Sequence, residues 1–266
     1  PDGDVAFFND SSFDVAGSYH ELVAYADRLG FASVLERHDS IHLVDSGFVR
    51  LVSGDVMVLC DVARIGPDYL PGHAHADSLS FEMSIGTERL FVNSGISEYG
   101  VGPERHRQRS TRAHNTVVVD NENSSEVLGG FRVGRRARPF DLEVSLEASP
   151  MRVSCAHDGY SRCNSRKVHR RTWIMHEDRL SLEDQVEGQA NSCEINFHCH
   201  PDVAVRQAGS EVHLKLQSGR TLTMAISQGS IAVEPSSWHP IFGAAVENKV
   251  IRVKMHNGCC RTEIQF

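Results

Sequence analysis

Residues 48–60 read Phe48-Val49-Arg50-Leu51-Val52-Ser53-Gly54-Asp55-Val56-Met57-Val58-Leu59-Cys60. Two runs rich in valine and leucine flank a Ser-Gly-Asp turn, so the segment reads as a β-hairpin. The pattern recurs on both sides. Residues 79–85 and 89–93 flank Gly86-Thr87-Glu88, and residues 168–175 and 179–186 flank His176-Glu177-Asp178. Residues 116–120 form a compact β-branched strand closed by a polar turn over 121–125. Further short strands are predicted at 194–198, 211–216, 221–227, 229–234, 250–255 and 261–266.

Strands at roughly 8–12-residue intervals with turn signals between them are the pattern of a large antiparallel sandwich. No strand–helix–strand alternation occurs, which argues against a parallel sheet. One helix is predicted, over residues 21–30, from apolar residues at helical spacing and the stop at Gly30. The expected fold is therefore all-β: a large antiparallel β-sandwich with a short N-terminal helical remnant.

The composition fits a globular chain with a sizeable core. Of 266 residues, 40% are hydrophobic and 23% charged. There is no apolar run of about 18 residues, so no membrane span is expected. The start, Pro1-Asp2-Gly3-Asp4, has no signal-peptide character, and a chain opening without Met reads as a fragment. Localisation stays open. The net charge of −8 speaks against a nucleic-acid partner. The charge is uneven, however. Eight arginines (105, 107, 109, 112, 132, 135, 136 and 138) fall between Arg105 and Arg138 with only Asp120, Glu122 and Glu126 among them. Either a solvated basic face or a patch for an anionic ligand accounts for this run; guanidinium suits carboxylate and sulfate. Seven cysteines with no CxxC spacing read as small buried hydrophobes.

The segment richest in chemistry runs from Leu70 through Gly72-His73-Ala74-His75-Ala76-Asp77 to Glu82. If it is extended, His73, His75 and Asp77 share one face, a set that a divalent metal could use. His198 and His200 repeat the HxH spacing without comparable surroundings. Asn93 and His114 could reach the same place from neighbouring strands, although a histidine heading an apolar strand is often a wall residue.

The stretch GHAHADSLSFEMSIGTERLFVNSGISEYGVGPERHRQRSTRAHNTVVVD (72–120), followed by SSEVLGGFRVGRRARP (124–139), resembles the signature region of the heparinase II/III-like carboxy-terminal domain. The remainder matches in its strand-rich style only. Phe7-Phe8-Asn9-Asp10 and the helix to Gly30 are similar to the last turn of the α/α toroid that precedes the sandwich in that family. The resemblance implies residues 1–35 as a toroid remnant and 36–266 as the sandwich domain. It also implies a toroid domain of the same protein as partner and an acidic polysaccharide as substrate.

The implied chemistry is β-elimination at a uronic acid. It requires a neutralised carboxylate, a base for the C5 proton and an acid for the leaving oxygen. Carried over by position, His73 is the sandwich's contribution to the cleft, and His75 and His114 are ligands of a structural zinc that braces the His73 loop. Asn93 stands where relatives place an aspartate ligand, and Asp77 could restore the missing charge. Tyr99 could carry a proton, although a packing role suits it equally. Arg109 is the arginine favoured for the catalytic cleft, and Arg105, Arg107 and Arg112 are expected to bind substrate. A fragment without the toroid is expected to be weak or inactive. Two other readings stay open: a metal-dependent cupin-like enzyme, and a non-catalytic sandwich that binds anionic glycan. Against the cupin reading, Glu82 follows His75 at a longer interval than that fold's usual glutamate.

Overall fold

The computed structural model describes residues 2–13, 15, 17–31, 40–161 and 166–266. The expected domain boundary at 35/36 lies outside the described residues. The first element is helix α1 (Tyr19–Arg28), which Ser18 and Glu21 open with a reciprocal capping box and which buries none of its residues. It starts two residues before the predicted helix because the cap, not the first apolar residue, sets the start.

Strands follow almost without interruption. They are β1 (Ile41–Leu43), β2 (Phe48–Ser53), β3 (Val56–Asp61), β4 (Phe81–Ile85) and β5 (Glu88–Phe91). A short helix α2 (Pro103–Gln108) and a 3-10 turn (Thr111–Ala113) lead into β6 (Val117–Val119). Next come β7 (Val127–Leu128), β8 (Arg132–Val133), β9 (Pro139–Ser145), β10 (Met151–His157), β11 (Val168–Met175) and β12 (Arg179–Glu187). The last are β13 (Cys193–His198), β14 (Ala204–Ala208), β15 (Glu211–Lys215), β16 (Thr221–Ile226), β17 (Ser230–Trp238), β18 (Val246–Lys254) and β19 (Cys259–Gln265).

The fold is an all-β antiparallel sandwich, as the alternation in the sequence predicts. Strands β1 to β5 form one sheet in sequence order; eight strands form a second in the order β14-β15-β16-β19-β12-β11-β10-β9. A third sheet runs β17-β18-β13-β6, and β7 pairs with β8 alone. One apolar core joins all three large sheets, with Leu51 and Phe81 from the first, Trp173, Leu182 and Met224 from the second, and Phe197 and Ile251 from the third. The six described cysteines are free; five are buried and Cys259 is half-buried, in keeping with a packing role. No described helix is long and apolar enough to cross a membrane.

A fully buried ion pair lies inside this core. The Arg171 Nε–H and Nη2–H donate to the two Asp184 oxygens at 2.8 and 3.0 Å. Nη1–H donates to the carbonyls of Leu79 at 2.9 Å and Asn115 at 2.6 Å. Behind the pair, His169 Nε2 meets Asp184 at 2.8 Å and His169 Nδ1 meets His157 Nε2 at 3.2 Å. Arg171 thus ties β11 to the end of the 62–80 connection and to the segment before β6, the two stretches that carry the histidines discussed below.

Removing the cation from such a pair leaves a buried carboxylate with only His169 as donor and two buried carbonyls without the guanidinium that they accept from. Arg171→Met is therefore expected to cost about 3–5 kcal/mol in urea unfolding. A loss below about 1 kcal/mol would show that the pair does not hold this junction.

Candidate active site and metal centre

The connection between β3 and β4 is not a strand over residues 71–80, yet residues 74–80 are all buried. Buried backbone needs partners, and here side chains supply them. The Ala74 carbonyl accepts from Arg109 Nε–H and Nη2–H at 3.2 and 3.0 Å. The Ala76 carbonyl accepts from the Ser124 hydroxyl at 3.2 Å, and Ser78 from Thr116 at 2.9 Å. The Leu79 carbonyl takes Arg171, and Phe81 takes the Asn115 amide at 2.8 Å. Leu79 itself has φ +58°, a conformation an L residue keeps only where its surroundings enforce it.

The loop so pinned presents its histidines to a carboxylate that the sequence reading passed over. Asp10, its side chain 1% exposed, accepts from His73 Nδ1–H at 2.9 Å and from His75 Nε2–H at 2.8 Å. The Arg105 guanidinium grips the same carboxylate with both ends, Nη2–H reaching Oδ2 at 2.7 Å and Nη1–H reaching Oδ1. Burial alone would raise the Asp10 pKa; the hydrogen bonds and charges of His75 and Arg105 outweigh it and hold the carboxyl well below the usual range. Neighbouring Asn9, at φ +57°, accepts the His75 N–H at 3.3 Å and donates its own N–H to Asp77 at 3.2 Å. The only hint in the sequence was a carboxylate two positions after a pair of phenylalanines, Phe7 and Phe8, both of which are buried.

Two consequences follow for the imidazoles. On His73 the carboxylate fixes the proton on Nδ1, and Nε2 makes no hydrogen bond among the described residues on a side chain that is 61% exposed. That nitrogen can exchange a proton with a bound molecule. On His75 the carboxylate fixes the proton on Nε2 and turns Nδ1 toward His114 Nε2, 3.2 Å away. His114 in turn donates Nδ1–H to Asn93 Oδ1 at 3.2 Å, an oxygen that also accepts the Asn115 N–H. Both facing nitrogens are therefore set up to present lone pairs to one gap, which a cation or an extra proton must fill.

His75, Asp77 and His114 place one ligand atom each within 4.8 Å of one another, all three buried. This donor set suits zinc. Two nitrogens each about 2.0–2.1 Å from a tetrahedral ion stand about 3.3 Å apart, close to the separation seen. Burial raises the Asp77 pKa above its ordinary value, His75 and the hydrogen bonds pulling only partly against it. Burial also holds His114 well below its ordinary value, with the positive charges of His75 and His198 adding to the effect. Asn93 Nδ2 is buried without a partner among the described residues. The outer partners Asp10 and Asn93 fix the tautomers that such an ion needs.

The remaining expected residues divide. The Tyr99 ring lies 5.8 Å from the His73 ring, 5.3 Å from Phe131 and 5.2 Å from the Arg105 guanidinium. Arg105 and Arg109 are fully buried; both hold this loop system together, Arg105 also reaching the Gly130 carbonyl and Arg109 the Gly129 carbonyl. Burial and the nearby Arg105 charge pull Arg109 down to about 10, still cationic at neutral pH. Arg107 pairs with Glu104 and reaches His239 Nε2 at 2.8 Å. Arg112 pairs with Glu194 at 2.9 Å, while its carbonyl accepts from His198 Nε2. The structure thus brings His73, His75, Asp77, Asn93, Tyr99, Arg105, Arg109 and His114 into one neighbourhood and sets Arg107 and Arg112 outside it.

A family model for the heparinase II/III-like C-terminal region matches residues 36–266. Comparison with curated proteins finds no match. Among solved structures, heparan sulfate lyase HepC from Pedobacter heparinus superposes with a TM-score of 0.77 at 16% identity, covering 100% of this chain and 44% of that one. A heparinase III gene product gives 0.78 at 18% identity, again over 100% of this chain and 44% of that one. Another heparinase III gives 0.74 at 15%, over 100% and 45%. The chain spans less than half the length of these structures, and at such identities the likeness shows the fold.

The buried histidines make stability depend on pH. Burial holds His198 down to about 4, and His114 and His157 are also held low. Because these folded-state values lie below the unfolded value of about 6.5, the unfolded chain binds protons first on acidification. In chelator, unfolding free energy should fall by about 2 kcal/mol between about pH 7.5 and pH 5, the imidazoles outweighing Asp61, Asp77 and Glu82, whose carboxyls burial raises and which act in the opposite sense. The Asp10 contribution is lost only below about pH 4, so it does not enter this window. A flat profile in urea titrations would contradict the buried neutral imidazoles.

Proposed function

The chain belongs to the heparinase II/III-like family by its C-terminal domain, and from that premise we propose that it serves a polysaccharide lyase. The lyase cleaves uronic-acid-containing polysaccharide by β-elimination. The observation that carries the reading is the Asp10–His73 pair, which leaves one imidazole nitrogen free on an exposed ring while a buried, arginine-held carboxylate orients the other.

In this reading His73 Nε2 accepts the C5 proton of the uronate. Asp10, 2.9 Å from Nδ1, stabilises the imidazolium that results. The C5–H electron pair forms the new C4–C5 double bond, the bond from C4 to the glycosidic oxygen breaks, and an acid group protonates that oxygen. Arg105 and Arg109 act as positioning residues, the first holding Asp10 and the second the Ala74 carbonyl between the two histidines. Tyr99 and Phe131 wall the His73 ring. Arg107 and Arg112, half-buried, can reach a ligand carboxylate only by exchanging Glu104 or Glu194 for it.

His75, Asp77 and His114 would hold a zinc ion. When bound, zinc would add a fixed positive charge that braces the loop behind His73. The acid group, and part of the carboxylate neutralisation, belong in this reading to an α/α toroid domain of the same protein. Of residues 1–35, α1 is the part assigned to that domain, since Phe7 and Phe8 already pack against Trp238 and Phe48 of the sandwich.

The test is the ultraviolet absorbance of the unsaturated uronate product, measured on heparan sulfate and on alginate with the longer protein that carries the N-terminal domain. Absorbance should rise on one of them, and His73→Ala should lower kcat by about a hundredfold or more. No rise on any uronate polymer, or full activity in His73→Ala, would overturn the assignment. For the metal, elemental analysis should find about one zinc per chain, abolished in His75→Ala. Metal-free unsubstituted protein purified without chelator would remove the zinc from this reading.

A further inference from the structure

Eight arginines crowd residues 105–138, and the structure separates them into two groups. Arg105 and Arg109 are internal, Arg107 and Arg112 carry acidic partners, and the exposed Arg132, whose carbonyl accepts from Arg109, lies outside the groove described next. Arg135, Arg136 and Arg138 instead meet Arg64, from a distant part of the chain, along a groove of ≈ 850 Å³. Arg136 is committed within it, donating to the Ile65 carbonyl at 3.2 Å and to Asp68 at 2.8 Å. The exposed guanidinium groups of Arg64, Arg135 and Arg138 have no ion-pair partner among the described residues.

The backbone beneath them is fixed. The Arg135 N–H donates to Glu126 at 3.0 Å, the Ala137 N–H to Ser125 Oγ at 2.9 Å, and the Arg138 N–H to Asp158 at 2.8 Å. The cationic side chains therefore stand on a preformed edge rather than on a loop that must order first. Four arginines face Asp68 and Asp158 as the acids lining the groove, which leaves it cationic in a chain of net charge −8.

The groove also continues. A second hollow of ≈ 500 Å³ shares Arg64, Pro139 and Phe140 with it, so its length exceeds that of one small anion. Pro139 and Phe140 offer apolar surface of the kind that packs on the C–H face of a sugar ring. The wall of this second hollow, which includes Gly66, leans on the histidine loop. A Cβ added to Gly66 would stand 3.0 Å from the Pro71 Cα and 3.2 Å from the Ala74 Cβ, next to His73.

We propose that Arg64, Arg135 and Arg138 form a binding groove for a linear anionic polysaccharide, gripped through its carboxylate or sulfate oxygens and running toward His73. The proposal rests on the reading of the chain as part of a lyase for such a polymer and adds where the chain beyond the cleavage point is held. Guanidinium forks supply charge-assisted, paired hydrogen bonds to either oxyanion.

The experiment measures binding of the 266-residue chain to two labelled probes, a short heparan sulfate chain and an unsulfated oligogalacturonate. The triple variant Arg64→Gln, Arg135→Gln, Arg138→Gln should bind about tenfold more weakly, with a shallower dependence on salt. Loss on the sulfated probe alone assigns the groove to sulfate, and loss on both assigns it to carboxylate. The charge-matched control Arg179→Gln, Arg220→Gln, Arg261→Gln, on the eight-stranded sheet and its loops, should bind as the unsubstituted chain does. Arg135→Gln alone, expected to weaken binding about two- to threefold, covers a triple variant that fails to fold. Equal loss in the control, unchanged binding in the groove variants, or no binding of either probe to the unsubstituted chain would overturn the proposal. Binding is read without turnover, so a missing unsaturated product would sink the lyase reading and leave the groove standing.

Discussion

The carboxylate of Asp10 is the constraint on which the site depends. It is buried, and a buried carboxylate is tolerable only when its oxygens are fully engaged. Arg105 supplies the charge, and the two histidines supply directed donors. Because the carboxylate can only accept, it decides which nitrogen of each ring carries a proton, and thereby what each ring offers elsewhere. On His73 the unprotonated nitrogen belongs to an exposed ring; on His75 it turns inward to His114. One group thus divides two neighbouring imidazoles between solvent-facing proton chemistry and a buried metal-type gap.

The histidine loop can serve this purpose because it is irregular. A strand would have met its backbone needs through a ladder and placed His73, His75 and Asp77 by alternation. Here the carbonyls of Ala74, Ala76, Ser78, Leu79 and Phe81 are held one by one, by Arg109, Ser124, Thr116, Arg171 and Asn115. These donors come from four separate stretches of the chain, at 109, 115–116, 124 and 171, so the loop inherits the rigidity of the core. The Arg171–Asp184 pair extends that support to the eight-stranded sheet. Polar groups of this kind cost desolvation, and their return is a fixed geometry rather than a large gain in stability.

Most of the strand content was legible in local pattern. The hairpins about Gly54, Gly86 and residues 176–178 fold where the alternation and turns put them. Strands β9 and β10 were not read. In β9, Asp141, Leu142 and Glu143 are all exposed, and β10 buries five consecutive residues, so neither shows the alternation that marks a half-buried strand. The histidines were legible by type and spacing. Asp10 was not, because it lies 63 residues before His73 and nothing local distinguishes a buried carboxylate from a solvated one. The arginine run showed its charge but not its division. Whether a guanidinium is an internal strut or a free ligand group depends on what the fold brings to it.

The antiparallel sandwich, the family and the residue types available for proton transfer and metal binding can be read along the chain, since alternation, turn residues and an ordered motif are local properties. Which of those residues meet is fixed by the packing of the folded chain. Burial, tautomer and pairing are set by neighbours tens to more than a hundred positions away, and a carboxylate, imidazole or guanidinium takes its chemistry from the groups packed against it.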